Sequence, residues 1–142
     1  MENRIRGLMI GGAIGDALGS PYEFRLAKIE NEYTGKLDSK KQTYNHWQDR
    51  TTVYSIGEVT DDTEMSMCIL QSLKENKMIY NRDDVTMKYI EWANSGTASM
   101  GRNTRDLLRG IKTYNGYKKR YDKKFSDKDV AFNMQSNGAM MR

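Results

Sequence analysis

Val59-Thr60-Asp61-Asp62-Thr63-Glu64-Met65 runs into an apolar stretch that ends at Leu73, and this join decides how the chain is read. Met65, Cys68, Ile69, Ser72 and Leu73 recur on one stripe, so the spacing predicts an amphipathic helix from Glu64 to Asn76. At its entry stand two adjacent carboxylates flanked by two hydroxyls. Such hard oxygens suit magnesium, calcium or manganese rather than zinc or copper. The plainer reading is a helix N-terminus: Asp61 followed three positions on by Glu64 has the form of a capping box, and acidic residues there complement the helix dipole. The two readings are compatible, although a cation placed there meets the positive end of the dipole. In an extended strand neighbouring side chains point to opposite faces and could not share one ion, so the turn at Asp61 and Asp62 matters.

Upstream, Ile5, Leu8, Met9, Ala13, Ile14, Ala17 and Leu18 have helical spacing and predict a helix from Arg4 to Leu18. From Leu8 onward almost no polar face remains, the mark of a helix buried all round. Gly7, Gly11 and Gly15 form one row along it, suited to close approach of another backbone or of a ligand, with tight helix packing the commoner use. Asp16 lies beside that row, and a buried carboxylate needs hydrogen-bond donors or a cation nearby. Gly19-Ser20-Pro21 stops the helix. Glu23, between Tyr22 and Phe24, is either an ordinary loop residue or a carboxyl whose pKa partial burial could raise for acid–base work. Arg25 to Val59 is polar and weakly periodic; short strands and irregular loop both fit it, and it is read as loop with little helix. Its His46 has no partner at ligand spacing and is read as structural or exposed.

Downstream, Val85, Tyr89, Trp92 and Ala93 predict a third helix ending near Gly96, with Asp83-Asp84 as its cap. Asn103 or Thr104 opens a fourth helix carrying Leu107, Leu108 and Ile111, broken by Asn115-Gly116. Lys118 to Lys124 reads as a solvated helix face or loop, and Asp129 to Gln135 as a short helix. Ser136-Asn137-Gly138-Ala139 is a small-residue turn, either a plain loop or a nest of backbone N–H groups for phosphate.

The 142 residues fit one domain, with 37% hydrophobic and 30% charged residues pointing to a folded chain. The net charge of +4 is local: Lys118, Lys119, Arg120, Lys123 and Lys124 face only Asp122 and Asp127, so a nucleic-acid footprint over the whole surface is not supported. The single Cys68 rules out an internal disulfide and favours a reducing compartment. The longest weakly polar run, Leu8 to Leu18, is too short to span a bilayer, and no leader is evident at Met1. The expectation is a soluble cytoplasmic protein with no membrane partner.

Three segments together resemble the ADP-ribosylglycohydrolase family, which includes the dinitrogenase-reductase-activating glycohydrolase and the ADP-ribosyl-arginine and ADP-ribosyl-serine hydrolases. Gly11 to Glu23 looks like its opening helix, Val59 to Met65 its first metal motif, and Ser136 to Arg142 its ADP-ribose loop. Met100-Gly101-Arg102-Asn103-Thr104 falls where the family has a glycine-led helix start. The resemblance implies an all-α fold, an orthogonal helical bundle built around two magnesium ions, with manganese as an alternative. It implies hydrolysis of the glycosidic bond joining ADP-ribose to a protein side chain, arginine or serine, or to a small acceptor. By matching position Thr60, Asp61 and Asp62 would ligate one ion, with both aspartates counted as catalytic. Glu23 would act near the scissile bond, ordering or activating water or assisting protonation. Met134, Gln135, Ser136, Asn137 and Gly138 would hold the diphosphate and proximal ribose, and Asp16 would buttress the metal side of the first helix.

There is a departure. Members of that family continue past the Asn-Gly loop into an Asp-x-Asp-Thr motif that bridges the two metals. The nearest pattern here, Asp127-Lys128-Asp129-Val130, precedes the loop and lacks the hydroxyl, so it is no substitute. Magnesium takes about six oxygens, and residues 60–62 supply about three. The expectation is therefore a single domain over 1–142 whose C-terminal part is missing: a fragment, one of two separate polypeptides, or a relative without catalysis. The expected partner is an ADP-ribosylated protein or ADP-ribose derivative; the non-catalytic alternative is an ADP-ribose-binding or crystallin-like structural relative.

Overall fold

The computed structural model describes residues 2–22, 35–36, 41–45, 50–97 and 100–126. Helices dominate it, as expected, with one two-stranded antiparallel hairpin among them. The chain forms two compact units, Met1–Thr63 and Glu64–Arg142.

In the first unit, α1 (Glu2–Gly19) opens with an exposed pair in which Arg6 Nη2 donates to Glu2 Oε1 (2.6 Å). Pro21 has no N–H to extend the helix, and the chain tightens into a 3₁₀ turn, Ser20–Tyr22, whose three residues are buried. The expectation of a helix buried all round is not met. Only Ala17 is buried on α1, while Ile5, Leu8, Ile10 and Ile14 are exposed. The glycine row is equally open: a Cβ added at Gly7, Gly11 or Gly15 would meet nothing within 4 Å. An apolar helix is buried only where another layer covers it, and within this unit α1 meets the Ser20–Tyr22 turn and, through Asp16, Thr60 and Thr63.

Part of the stretch expected as loop is a hairpin. β1 (Lys41–Asn45) pairs with β2 (Arg50–Tyr54), Lys41 opposite Tyr54 and Asn45 opposite Arg50. Thr43, Tyr44, Thr51, Thr52, Val53 and Tyr54 are β-branched or aromatic, which favours a pleated strand even where the polarity hides any alternation. The hairpin lies against the Ser20–Tyr22 turn, with Tyr22 and Tyr54 buried. A turn follows in which Gly57 adopts φ +72° and Glu58 Oε2 accepts from Ser55 N (2.6 Å).

In the second unit α2 (Asp61–Glu75), which starts at the end of the first, is followed by α3 (Arg82–Asn94), α4 (Arg102–Leu108) and α5 (Tyr114–Phe125). Met65, Ile90, Trp92, Ala93, Leu108 and Ile111 are central to the core, with Cys68, Tyr89 and Leu107 packed around it. Each large core side chain contributes roughly 1.5–3 kcal/mol by burial. The cap of α3 is Asn81, not the aspartate pair: Asn81 Oδ1 accepts from Asp83 N and Asp84 N (both 3.1 Å). The carboxylates occupy the first turn, where the dipole favours them. Asn94 fastens the other end, donating from Nδ2 to Ile90 O (2.7 Å) and Ile111 O (3.0 Å) and accepting from Gly110 N (2.9 Å). Asn115-Gly116 does not end a helix as expected. It lies in the first turn of α5, where Gly116 N donates to Thr113 Oγ1 (3.1 Å). The basic stretch is helical: Arg120 Nη1 donates to Arg109 O (2.8 Å) and Lys124 Nζ to Asp106 Oδ2 (3.0 Å). The expected helix at 129–135 and turn at 136–139 lie outside the described residues. No described helix is long and apolar enough to cross a membrane.

Two outcomes follow. Asn81→Ala removes both cap bonds and lowers stability by about 1 kcal/mol, read from urea unfolding. Burial, reinforced by the Glu64 carboxylate, raises the Cys68 thiol above its ordinary pKa. The folded chain therefore holds that proton to higher pH, and alkylation of Cys68 at pH 8–9 is slow until denaturant unfolds the protein.

Candidate functional site

The residues around the start of α2 are organised by one carboxylate. Asp16, on the last turn of α1, is half-buried, and it is met by donors as the sequence required. Its Oδ1 accepts from Thr60 Oγ1 (2.7 Å). Its Oδ2 accepts from Thr60 N (2.8 Å), Thr63 N (3.3 Å) and Thr63 Oγ1 (2.6 Å). Two backbone amides and two hydroxyls thus converge on one ion, a form of bonding stronger than its neutral counterpart. Thr63 N is among the donors a helix start leaves without an intrahelical partner. Asp16 satisfies it from 47 residues away in sequence.

The helix begins at Asp61 with Thr60 just before it, and Thr60 Oγ1 lies 3.4 Å from Asp62 N, a long contact. The Asp61–Glu64 capping box is replaced by another arrangement. Glu64 Oε2 accepts from Trp92 Nε1 (2.6 Å) and Thr97 Oγ1 (2.8 Å). A buried indole N–H requires an acceptor, and the carboxylate of Glu64, in the first turn of α2, supplies it. Trp92 was legible as core; that its N–H needed a partner was the available signal, and the choice of Glu64 was not.

Thr60 is buried, and Asp61 and Asp62 are half-buried. Both aspartates have polar interactions of their own. As a donor set, two carboxylates and a threonine oxygen match a hard divalent cation in chemical type. Among the described residues there is no group of three or more His, Cys, Asp or Glu side chains that could hold a metal ion. Residues 60–62 therefore offer one side of such a site, with Thr60 Oγ1 already donating to Asp16. Glu23, Met134, Gln135, Ser136, Asn137 and Gly138 lie outside the described residues, as does His46.

Replacing Asp16 tests the arrangement. Asp16→Ala strands Thr60 N and Thr63 N and costs roughly 2–4 kcal/mol, with Asp16→Asn costing less because one oxygen still accepts. Hydrogen exchange at the Thr60 and Thr63 amides reports it, accelerating most in the alanine variant.

The profile of the ADP-ribosylglycohydrolase family matches residues 1–142. The Acanthamoeba polyphaga mimivirus protein named "Putative ADP-ribosyl glycohydrolase L543" is 29% identical over 156 aligned residues, covering 100% of this chain and 40% of its own length. The ADP-ribosyl-(dinitrogen reductase) glycohydrolase of Rhodospirillum rubrum is 31% identical over 115 residues, covering 80% of this chain and 35% of its own length. The chain thus spans less than half the length of either relative. No solved structure gives a significant match. Matched by the family profile from its first residue to its last, the chain belongs to the ADP-ribosylglycohydrolase family.

Proposed function

We propose that the protein takes part in hydrolysing the glycosidic bond between ADP-ribose and an acceptor, an arginine or serine side chain or a small molecule. The observation that carries this reading is the family match along the whole chain, with the Thr60-Asp61-Asp62 motif at a helix start tied down by Asp16. The net reaction adds water across the bond: the water oxygen goes to the anomeric carbon of ribose, and a proton goes to the departing nitrogen or oxygen of the acceptor.

Thr60, Asp61 and Asp62 would hold a magnesium ion, or manganese in its place. The ion would supply positive charge that orients ribose hydroxyls and polarises water. Asp16 keeps the turn fixed by occupying its hydroxyl and amide donors. Glu23 would order or activate the water, or assist protonation of the leaving group. Backbone donors at residues 134–138 would neutralise the diphosphate. Three oxygens do not complete magnesium's shell of about six, so turnover in this reading depends on ligands from the region that the relatives have and this chain does not span. We place the reaction in the cytoplasm, on the single cysteine and the expected substrate, an ADP-ribosylated protein.

The test is release of ADP-ribose from ADP-ribosyl-arginine and ADP-ribosyl-serine with magnesium present, for this chain alone and mixed with the C-terminal region of the mimivirus relative. Turnover that EDTA abolishes and manganese restores is expected, with Asp61→Ala and Asp62→Ala each lowering it at least about a hundredfold. Binding of ADP-ribose without turnover in either mixture replaces the hydrolase by a binding module. Neither binding nor turnover ends the proposal.

A further inference from the structure

Within the second unit, α3, α4 and α5 enclose a cleft of about 690 Å³. That volume is typical of small-molecule sites, which run from roughly 300 to 1,000 Å³. It is lined in part by the buried side chains of Met65, Val85 and Leu108. Along α5, Tyr114, Tyr117, Tyr121 and Phe125 recur every three or four residues and share one helix face. Their ring centroids succeed one another at 6.2, 5.9 and 4.5 Å with interplanar angles of 47°, 45° and 37°, so the rings are tilted and not stacked flat on each other. Tyr80 and Tyr89 line the cleft from the α3 side. Tyr80 is 63% exposed and Tyr121 42%, so the cleft holds aromatic surface in water.

Its charged groups are few and of mixed sign. Arg82 and Lys118 outnumber the one carboxylate, Asp122, and the Asn103 amide stands with them. Arg82 Nη2 donates to Tyr114 Oη (3.3 Å) and its Nε lies 3.5 Å from Asp83 Oδ1, which leaves donors of the guanidinium uncommitted. Lys118 has no hydrogen bond or ion pair among the described residues, unlike Arg120 and Lys124, which are bound to α4 and its C-terminal end.

We propose that this cleft binds a mononucleotide, its base lying against the tyrosine rings of α5 and its phosphate met by Lys118 and Arg82. Aromatic side chains offer flat faces on which a base stacks, whatever its identity. Arg82 is shared with Asp83, so Lys118 is the cation left to meet an anion. The Asn103 amide carries both a donor and an acceptor for a base edge. Burial raises the Tyr117 phenol, which stays protonated and able to donate. None of these residues belongs to the 60–62 or 134–138 sets assigned above, and no metal enters the argument.

Calorimetry of the intact chain with adenosine 5′-monophosphate in excess EDTA tests it, with adenosine and ribose 5-phosphate as fragments. The nucleotide binds more tightly than either fragment. Tyr121→Ala weakens it at least about fivefold, and Lys118→Glu about tenfold or more. Lys119→Glu, on the same helix but outside the cleft, leaves it unchanged; circular dichroism confirms that each variant is folded. The proposal is overturned by absence of binding, or by equal loss in the Lys118 and Lys119 variants, which marks a diffuse basic surface. Binding confined to single-stranded oligonucleotides, with steep salt dependence, also overturns it. So does binding that vanishes in EDTA, because it belongs with the metal-dependent reading, whereas failure of that reading leaves an EDTA-resistant site untouched.

Discussion

Four donors closing on the two oxygens of Asp16 fix the turn at the head of α2. The residues they come from, Thr60 and Thr63, bracket the aspartates at the head of α2. A helix start would otherwise leave its amides to water, and a carboxylate on the last turn of α1 would otherwise lie half-buried without compensation. Each defect is the remedy for the other. Asp16 is spent on backbone and hydroxyl donors, and Asp61 and Asp62 have polar interactions of their own.

The second unit is held by side chains that each serve two elements. Asn94 links the end of α3 to the segment between α4 and α5, and Glu64 joins the first turns of α2 to Trp92 and Thr97. Arg120 and Lys124 bind α5 to α4 in the same manner. These polar fasteners surround a core that is small for its unit, so orientation of the helices is specified at their ends as much as by apolar contact.

Helix positions were legible because Met65, Val85, Trp92 and Leu108 fall on repeating stripes, and α1 was legible despite its glycines. What periodicity could not convey was covering. The stripes show which faces are apolar, but not whether a layer exists to bury them, and α1 is apolar yet exposed. The hairpin was missed because five-residue strands of Thr, Tyr and Gln carry too little alternation to register. Asn81 was passed over as a cap in favour of the more conspicuous Asp83-Asp84, since one hydrogen-bonding oxygen looks much like another until the backbone is placed, and Thr113 was hidden because Asn115-Gly116 reads as a helix break. The Thr60-Asp61-Asp62 motif stood out by its chemistry, and Asp16 by the cost of leaving it alone. The partner of neither could be found by spacing, because a contact between residues 16 and 60 spans 44 positions.

Glu64 has a bearing on how variants of this protein would be interpreted. It sits two residues after Asp62 in a motif that invites a catalytic label, yet its carboxylate is committed to an indole and a hydroxyl. A mutational scan scored only by output would rank it beside the aspartates, and a genotype carrying it would be filed as a chemistry defect. The lesion would in fact be architectural, repairable in principle by second-site changes at Trp92 that no reacting-group defect could accept.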